Sequence, residues 1–175
     1  MEIHVIRHTR VKSGLTVCYG QSNVPLADTF EQEAAQIKKV LRFPFDAVFC
    51  SPSERCIKLS KALNLDEIII ESALKEMCFG VWENQKWDEI DRDQLEKWCE
   101  SFVTERPPKG ESLQDVFDRV VYFLETLQNR KYQKILLITH AGVIRCIHAH
   151  INNVLLKNLF NIPVGFGELF MFNLQ

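Results

Sequence analysis

The 175-residue sequence contains no long apolar segment and no run of Lys or Arg. No apolar run approaches the ~20 residues that cross a bilayer, so we expect no membrane span. Strand-like sequence follows Met1 directly, which predicts that no signal peptide precedes it. Because the net charge is only −2, a nucleic-acid-binding surface is not expected either.

Cysteine pairs of the C-x-x-C type are also missing. An even number of cysteines would permit disulfides in a small secreted domain, but no signal sequence supports secretion here. Reduced thiols in a cytoplasmic protein are the better interpretation. The six single cysteines are Cys18, Cys50, Cys56, Cys78, Cys99 and Cys146.

The composition is that of one soluble globular domain. The chain is 46% hydrophobic and 25% charged, and its length suits a single domain over residues 1–175. Apolar runs that predict strands alternate with stretches of helical periodicity, and this order predicts an α/β fold: a three-layer α/β/α sandwich with a mostly parallel central sheet. The most apolar run, 135–139, predicts a central strand. The predicted strands are 3–6, 47–50, 68–70, 135–139 and 169–172.

A region rich in acids interrupts this alternation at about residues 83–108 and is closed by Pro107-Pro108. Apolar residues recur there at roughly helical spacing, which predicts one or two helices. We expect a small helical insert that acts as a lid. The recurring residues are Trp87, Ile90, Leu95, Trp98 and Phe102.

Ionisable side chains follow two of the predicted strands. Arg7 and His8 come directly after the first, and His140 follows the strand at 135–139, just before a predicted helix. An anion bound there would stabilise these charges, because open α/β sheets place ligands at the carboxyl ends of their strands and helix N-termini attract anions. A frayed strand with a surface Arg-His pair explains the first end equally well, and a lone histidine such as His140 is more often structural.

Two further residues are weaker candidates. Arg55 falls in the first turn of a predicted helix, where acids are preferred, and a solvated surface Arg is the simpler interpretation. Glu76 lies in L-K-E-M-C-F-G-V-W, whose apolar residues indicate a partly buried setting in which a carboxyl could donate a proton. A solvated carboxylate is the usual alternative.

Taken together, two Arg, two His and one Glu suit phosphoryl transfer. Guanidinium forks match phosphate oxygens bidentately. A neutral imidazole can act as nucleophile and form a phosphohistidine, and Glu76 would protonate the leaving oxygen. We expect no metal or other cofactor, because the two guanidiniums supply the positive charge.

Five motifs in order resemble the blocks of the histidine phosphatase superfamily, in its phosphoglycerate-mutase-like branch. The resemblance runs from residue 1 to about residue 173 and implies that His8 is the phosphorylated nucleophile, Arg7 and Arg55 bind phosphate, Glu76 is the acid and His140 is the second histidine. The motifs are V-I-R-H-T, S-P-S-E-R, L-K-E-M-C-F-G-V-W-E, P-P-K-G-E-S and L-I-T-H-A-G-V-I-R.

The chain's short length and the loop C-Y-G-Q-S-N-V-P-L resemble most the α-ribazole phosphatases within this family. That resemblance implies a phosphatase for α-ribazole 5′-phosphate in cobalamin biosynthesis, with Tyr19 and Gln21 as candidate substrate-binding residues. The chain departs from the usual family pattern at three positions. Thr9 and Ala141 stand where glycine is common, and we expect both to bind phosphate; Gly14 replaces a common Asn.

Several alternatives stay open at this point. A phosphoglycerate mutase or a broad-specificity sugar phosphatase would need the same five residues, and a phospho-ligand-binding module without turnover would need all but the acid. A metal enzyme is disfavoured, because His148 and His150 are two apart on a predicted helix and point to different faces. The expected partner is a small phosphorylated metabolite; the oligomeric state is left open.

Overall fold

The computed structural model describes residues 1–13, 16–65 and 67–174. The strands are β1 (Glu2–Arg7), β2 (Val17–Cys18), β3 (Ala47–Cys50), β4 (Ile69–Ile70), β5 (Gln85–Lys86), β6 (Lys134–Thr139) and β7 (Leu169–Asn173). The α-helices are α1 (Phe30–Val40), α2 (Glu54–Ala62), α3 (Arg92–Ser101), α4 (Leu113–Gln128) and α5 (Ala141–Asn152).

Five of the strands form one sheet in the order β4-β3-β6-β1-β7. Strand β6 pairs in parallel with both β1 and β3, so Ile135 lies beside Ile3 on one side and Ala47 on the other. Only β7 runs antiparallel, at an edge. The predictions of a mostly parallel α/β sheet and of a central strand at 135–139 are therefore confirmed.

Helices cover both faces of this sheet and complete three layers. Side chains alternate along β1, so Ile3 and Val5 belong to the core shared with α4 and α5. Ile6 belongs to the core shared with α1 and α2, beside Ile37 and Leu59. Full burial of each such side chain contributes roughly 1.5–3 kcal/mol, so the two cores hold the sheet and fix where its strands end.

Local signals in the sequence account for the start of α4. The Ser112 hydroxyl accepts from the Asp115 backbone N–H at 3.2 Å, and the Asp115 carboxylate accepts from the Ser112 N–H at 2.8 Å. The Arg106 guanidinium bonds both Asp115 oxygens and holds the pKa of that carboxyl well below its usual range. Ser112 and Asp115 thus form a capping box, which the ion pair with Arg106 reinforces.

The region predicted as a helical insert contains a single α-helix, α3, together with β5. Strand β5 pairs antiparallel with β2 in a small second sheet, a contact that the sequence pattern did not predict. The Trp98 ring of the insert packs on two aromatic side chains of the preceding segment, at 5.9 Å from Trp82 and 5.8 Å from Phe79. Trp82 and Trp98 are both buried and belong to the core that also contains Ile3 and Val5. The insert therefore packs onto the core beneath α4 and α5.

In the part of the chain that the structure describes, no helix has the length and apolar character needed to cross a membrane.

Candidate active site

His8 and His140 meet at the carboxyl edge of the sheet. Arg7 is paired with Thr139 in the parallel ladder between β1 and β6, so the next residue of each strand emerges at the same edge. The two imidazole centroids are 5.1 Å apart, and the rings are 1% and 0% exposed. The register of two neighbouring strands thus brings together two histidines that are far apart in sequence.

Arg55 joins both rings from the first turn of α2. Its Nε donates to Nε2 of His8 at 3.2 Å and lies 3.3 Å from Nδ1 of His140. The two terminal nitrogens donate to the carbonyls of Ser22 (3.0 Å) and Gly20 (2.7 Å). The side chain is 2% exposed, so the surface Arg suggested by the sequence alone is excluded.

The partners of the two histidines fix their tautomers. His8 Nδ1 lies 2.7 Å from the Thr9 carbonyl and must carry the proton, which leaves the lone pair on Nε2. His140 Nε2 donates to the Ser51 hydroxyl at 2.8 Å, and its Nδ1 accepts from Arg55. Burial, followed by the charge of Arg55, lowers the pKa of both histidines well below 6.5. Both imidazoles are therefore neutral at neutral pH, and His8 presents an unprotonated Nε2 that accepts from Arg55.

Arg7 completes the cationic part of the site. It donates to the Val164 carbonyl at 2.6 Å, and its guanidinium carbon lies 3.6 Å from the centroid of the Phe166 ring. Its Nε is buried without a partner among the described residues. Within residues 1–13, 16–65 and 67–174, no carboxylate hydrogen-bonds to Arg7 or Arg55. Two buried cations without a counter-ion are costly, and a bound anion would neutralise them.

The other predicted phosphate-binding residues lie nearby in the chain. Thr9 is fully buried, and its hydroxyl has no partner within the described ranges. Ala141 is the first residue of α5, whose first backbone N–H groups have no intrahelical acceptors. The Tyr19 ring lies 5.1 Å from the guanidinium carbon of Arg55; burial raises the pKa of its hydroxyl, and the charge of Arg7 opposes that rise. The Gly14 position lies outside the described residues.

Gln21 is bonded within the protein. Its amide nitrogen donates to the Glu76 carbonyl at 3.0 Å and to a Glu111 carboxylate oxygen at 3.4 Å. Its backbone N–H donates to Glu83, which also accepts from the Phe79 N–H. In this arrangement Gln21 ties the loop that supplies the Arg55 acceptors to the segment that follows Glu76.

Glu76 is held beside the N-terminus of α5. The half-buried side chain accepts hydrogen bonds from the Met77 N–H at 3.0 Å and the Gly142 N–H at 3.2 Å. A Cβ atom on Gly142 would lie 2.3 Å from Glu76 Oε1. A side chain at position 142 would therefore push the carboxylate out of this place, a constraint that sequence reasoning missed.

An ion pair behind Glu76 was also missed. Arg119 donates to the Glu76 carbonyl at 3.2 Å, to the Ala73 carbonyl at 2.5 Å and to Glu111 Oε1 at 2.9 Å. Glu111 in turn accepts from the Cys78 N–H at 2.8 Å. Arg119 and Glu111 thus fix the backbone on both sides of the carboxyl. The motif P-P-K-G-E-S contained Glu111, but nothing in its spacing indicated which residue it pairs with.

The lowered pKa of His8 and His140 predicts that stability falls in acid. Both are neutral above pH 6.5 in either state; below it the unfolded chain binds protons that the folded protein excludes. The free energy of unfolding should therefore drop by about 1.4 kcal/mol per pH unit for each of these histidines. Urea unfolding between about pH 5 and pH 8 checks this. His8→Gln should reduce the slope of the free energy of unfolding against pH by the contribution of one histidine. An unchanged slope would contradict the lowered pKa of His8.

Comparisons with known proteins identify the family of the chain. The family model of the histidine phosphatase superfamily (branch 1) matches residues 3–174. The adenosylcobalamin/α-ribazole phosphatase of Escherichia coli strain K12 is 27% identical over 176 residues, which cover 95% of this chain and 87% of that protein. The 2,3-bisphosphoglycerate-dependent phosphoglycerate mutase of Cytophaga hutchinsonii is 29% identical over 177 residues, 93% of this chain and 83% of that protein.

A solved structure shows the same fold. The crystal structure of the α-ribazole phosphatase from Shigella flexneri matches with a TM-score of 0.91 at 25% identity, covering 100% of this chain and 91% of that one. The family resemblance drawn from the five motifs is confirmed. Among the described residues, no group of three or more His, Cys, Asp or Glu side chains is arranged to hold a metal ion.

Proposed function

The chain belongs to the histidine phosphatase superfamily and is a phosphatase of that family. From this premise we propose that it hydrolyses α-ribazole 5′-phosphate. The reaction proceeds through a phosphohistidine at His8 and needs no metal. The observation that carries the mechanism is the unprotonated Nε2 of His8, held in a buried site with two guanidiniums that no carboxylate neutralises within the described ranges.

In the first step, the phosphate group enters between the two guanidiniums. Arg55 Nε–H donates to the His8 lone pair in the ligand-free site, so this donor must pass to a phosphate oxygen before Nε2 can attack. A bond then forms between Nε2 and phosphorus, the bond from phosphorus to the ester oxygen breaks, and Glu76 gives its proton to the leaving oxygen.

In the second step, water attacks phosphorus and the P–N bond breaks. The Glu76 carboxylate takes the proton from the water, which restores the acid for the next cycle. The Nδ1–H of His8 stays bonded to the Thr9 carbonyl and stabilises the positive charge on the phosphorylated ring. Released phosphate then leaves the two guanidiniums.

The choice of α-ribazole 5′-phosphate is supported by relatives that carry this activity in their names and by the resemblance of the loop that contains Tyr19. A phosphoglycerate mutase activity is the second candidate, since a mutase is also among the relatives. All six cysteines are unpaired, which is typical of a reducing compartment and supports a cytoplasmic location.

A substrate screen in EDTA tests the proposal. We expect α-ribazole 5′-phosphate to be hydrolysed with a kcat/KM at least about tenfold above those of phosphoglycerates and fructose phosphates, since differences in contacts of a few kcal/mol suffice. Conversion of one phosphoglycerate isomer into the other would instead identify a mutase. Binding of phosphate esters without release of phosphate would identify a binding module.

The same screen with Glu76→Gln tests the proton donor. Hydrolysis of alkyl phosphates should fall by roughly 10²–10⁴-fold, the usual contribution of a general acid. An aryl phosphate with an acidic leaving group should lose much less, because its oxygen departs without a proton. Equal losses on both substrate types would show that Glu76 does not protonate the leaving group.

A further inference from the structure

A cavity of about 120 Å³ lies beside Glu76. Apolar side chains from α4 and from the segment 156–161 make most of its wall, and Gly142, which donates to the Glu76 carboxylate, also lines it. Since Glu76 lines the cavity and is placed to protonate the ester oxygen, the atoms beyond that oxygen are within reach of the cavity. The lining includes Glu76, Leu113, Val116, Arg145, Leu159 and Phe160.

Arg145 supplies the one cation in the described lining of this cavity. Its Nε donates to the Ile162 carbonyl at 3.0 Å, and no described residue accepts from its two terminal nitrogens. The side chain is half-buried; burial lowers the pKa of Arg145, and the charge of Glu76 opposes this. A guanidinium that is partly removed from water and has free N–H groups favours a ligand that accepts hydrogen bonds.

Phe160 stands at the same cavity with 53% of its surface exposed. Its ring packs against Phe102 of the insert at 4.8 Å and lies 5.6 Å from the Arg145 guanidinium carbon. An exposed aromatic ring next to an apolar cavity with a small number of polar groups, here Glu76 and Arg145, is the usual composition of a small-molecule site. The proposed mechanism makes no use of either residue.

Resting on the phosphatase function proposed above, we propose that this cavity binds the apolar body within the substrate's leaving group, which carries a hydrogen-bond acceptor at its far end. Leu113, Val116, Leu159 and Phe160 contact the body, and the terminal nitrogens of Arg145 donate to the acceptor. The volume is close to that of cavities which take up one benzene-sized ring, roughly 150 Å³. Arg145 and Phe160 are thus specificity-determining residues rather than catalytic ones.

Three phosphate esters of alcohols with similar acidity test the proposal: methyl, benzyl and 4-carboxybenzyl phosphate. For the wild type, kcat/KM should be at least about tenfold higher for benzyl than for methyl phosphate, the usual effect of filling an apolar pocket. The 4-carboxyl group should add a further gain. Arg145→Met should remove this second gain and keep the first.

Two variants change the apolar wall from different sides. Leu113→Phe fills the cavity, and Phe160→Ala removes a ring that is 53% exposed; both should bring the benzyl-to-methyl ratio toward one. Melting temperatures show whether Leu113→Phe folds. If Leu113→Phe does not fold, the benzyl-to-methyl ratio of Phe160→Ala tests the apolar wall. Matched controls are Arg92→Met and Tyr122→Ala, an Arg and an aromatic residue exposed away from the cavity, which should keep the wild-type ratios.

The outcomes separate the two proposals. If the wild type hydrolyses none of the three esters, the phosphatase mechanism itself fails. If it hydrolyses all three with equal kcat/KM, or if the ratios are the same in Arg145→Met, Leu113→Phe, Phe160→Ala and the controls, the mechanism stands and the leaving-group site is wrong.

Discussion

His8→Ala should abolish turnover, with kcat reduced by about 10⁴-fold or more, as for other covalent nucleophiles. The alanine removes the unprotonated Nε2 that lies beside Arg55 and that we propose as the nucleophile. Phosphate release from an aryl phosphate in EDTA measures the effect. His150→Ala is the matched control, since this half-buried histidine lies against Phe117 on the outer part of α5 and should leave kcat unchanged.

A trapping experiment gives the same prediction a chemical readout. Enzyme mixed with phosphate-labelled substrate and quenched in base should carry label that mild acid removes, which is the stability expected of a phosphoramidate bond. His8→Ala should carry none. Acid-stable label on the wild type, or equal labelling of both proteins, would show that another side chain attacks phosphorus.

The part of the site that sequence could predict depends on strand order. An apolar run that ends in His140 predicts a central parallel strand, and a second run that ends in Arg7 and His8 predicts another strand of a mostly parallel sheet. Parallel strands deliver their carboxyl ends to one edge, so the pattern indicated a shared site, but it did not show that the two strands are neighbours. The family motifs then added Arg55 and Glu76, which spacing alone had left as surface residues.

The supporting contacts could not be predicted, because they join residues whose distance in sequence carries no period. Arg119 reaches Ala73 and Glu76, some 43 to 46 residues earlier. Gly142 is required by a carboxylate 66 residues away. Strand β5 pairs with β2 through only two residues, too few for an alternating pattern. Such contacts arise only in the assembled fold, and no short stretch of the sequence carries a pattern that predicts them.

The charge of the site links function to stability. Arg7 and Arg55 are buried, and their hydrogen bonds go to carbonyls and imidazoles rather than to carboxylates. A carboxylate partner would stabilise the free protein, but it would compete with phosphate for the same guanidiniums. The site therefore keeps uncompensated positive charge, and binding of a dianion releases that cost.

Arg55→Met should lower kcat/KM by roughly 10²–10³-fold, the loss typical of one charge-stabilising donor in an active site. Arg55→Lys should restore little of it. A single ammonium cannot bond the Gly20 and Ser22 carbonyls and both imidazoles as the planar fork does. Arg92→Met, on the exposed face of α3, is the control for loss of an arginine and should behave as the wild type.

Inorganic phosphate distinguishes a binding defect from a folding defect in the Arg55 variants. As a ligand of the native state, phosphate at 100 times its Kd should stabilise the wild type by about 2.7 kcal/mol. At the same concentration, Arg55→Met should gain far less. Without phosphate, the free energy of unfolding of Arg55→Met should change by less than the free energy that corresponds to its loss of kcat/KM. The reason is that the hydrogen bonds lost to Gly20 and Ser22 are offset by removal of a buried charge. If phosphate raises the Tm of Arg55→Met as much as that of the wild type, Arg55 does not hold the anion. The contacts of both imidazoles with the Arg55 guanidinium would then serve the fold alone.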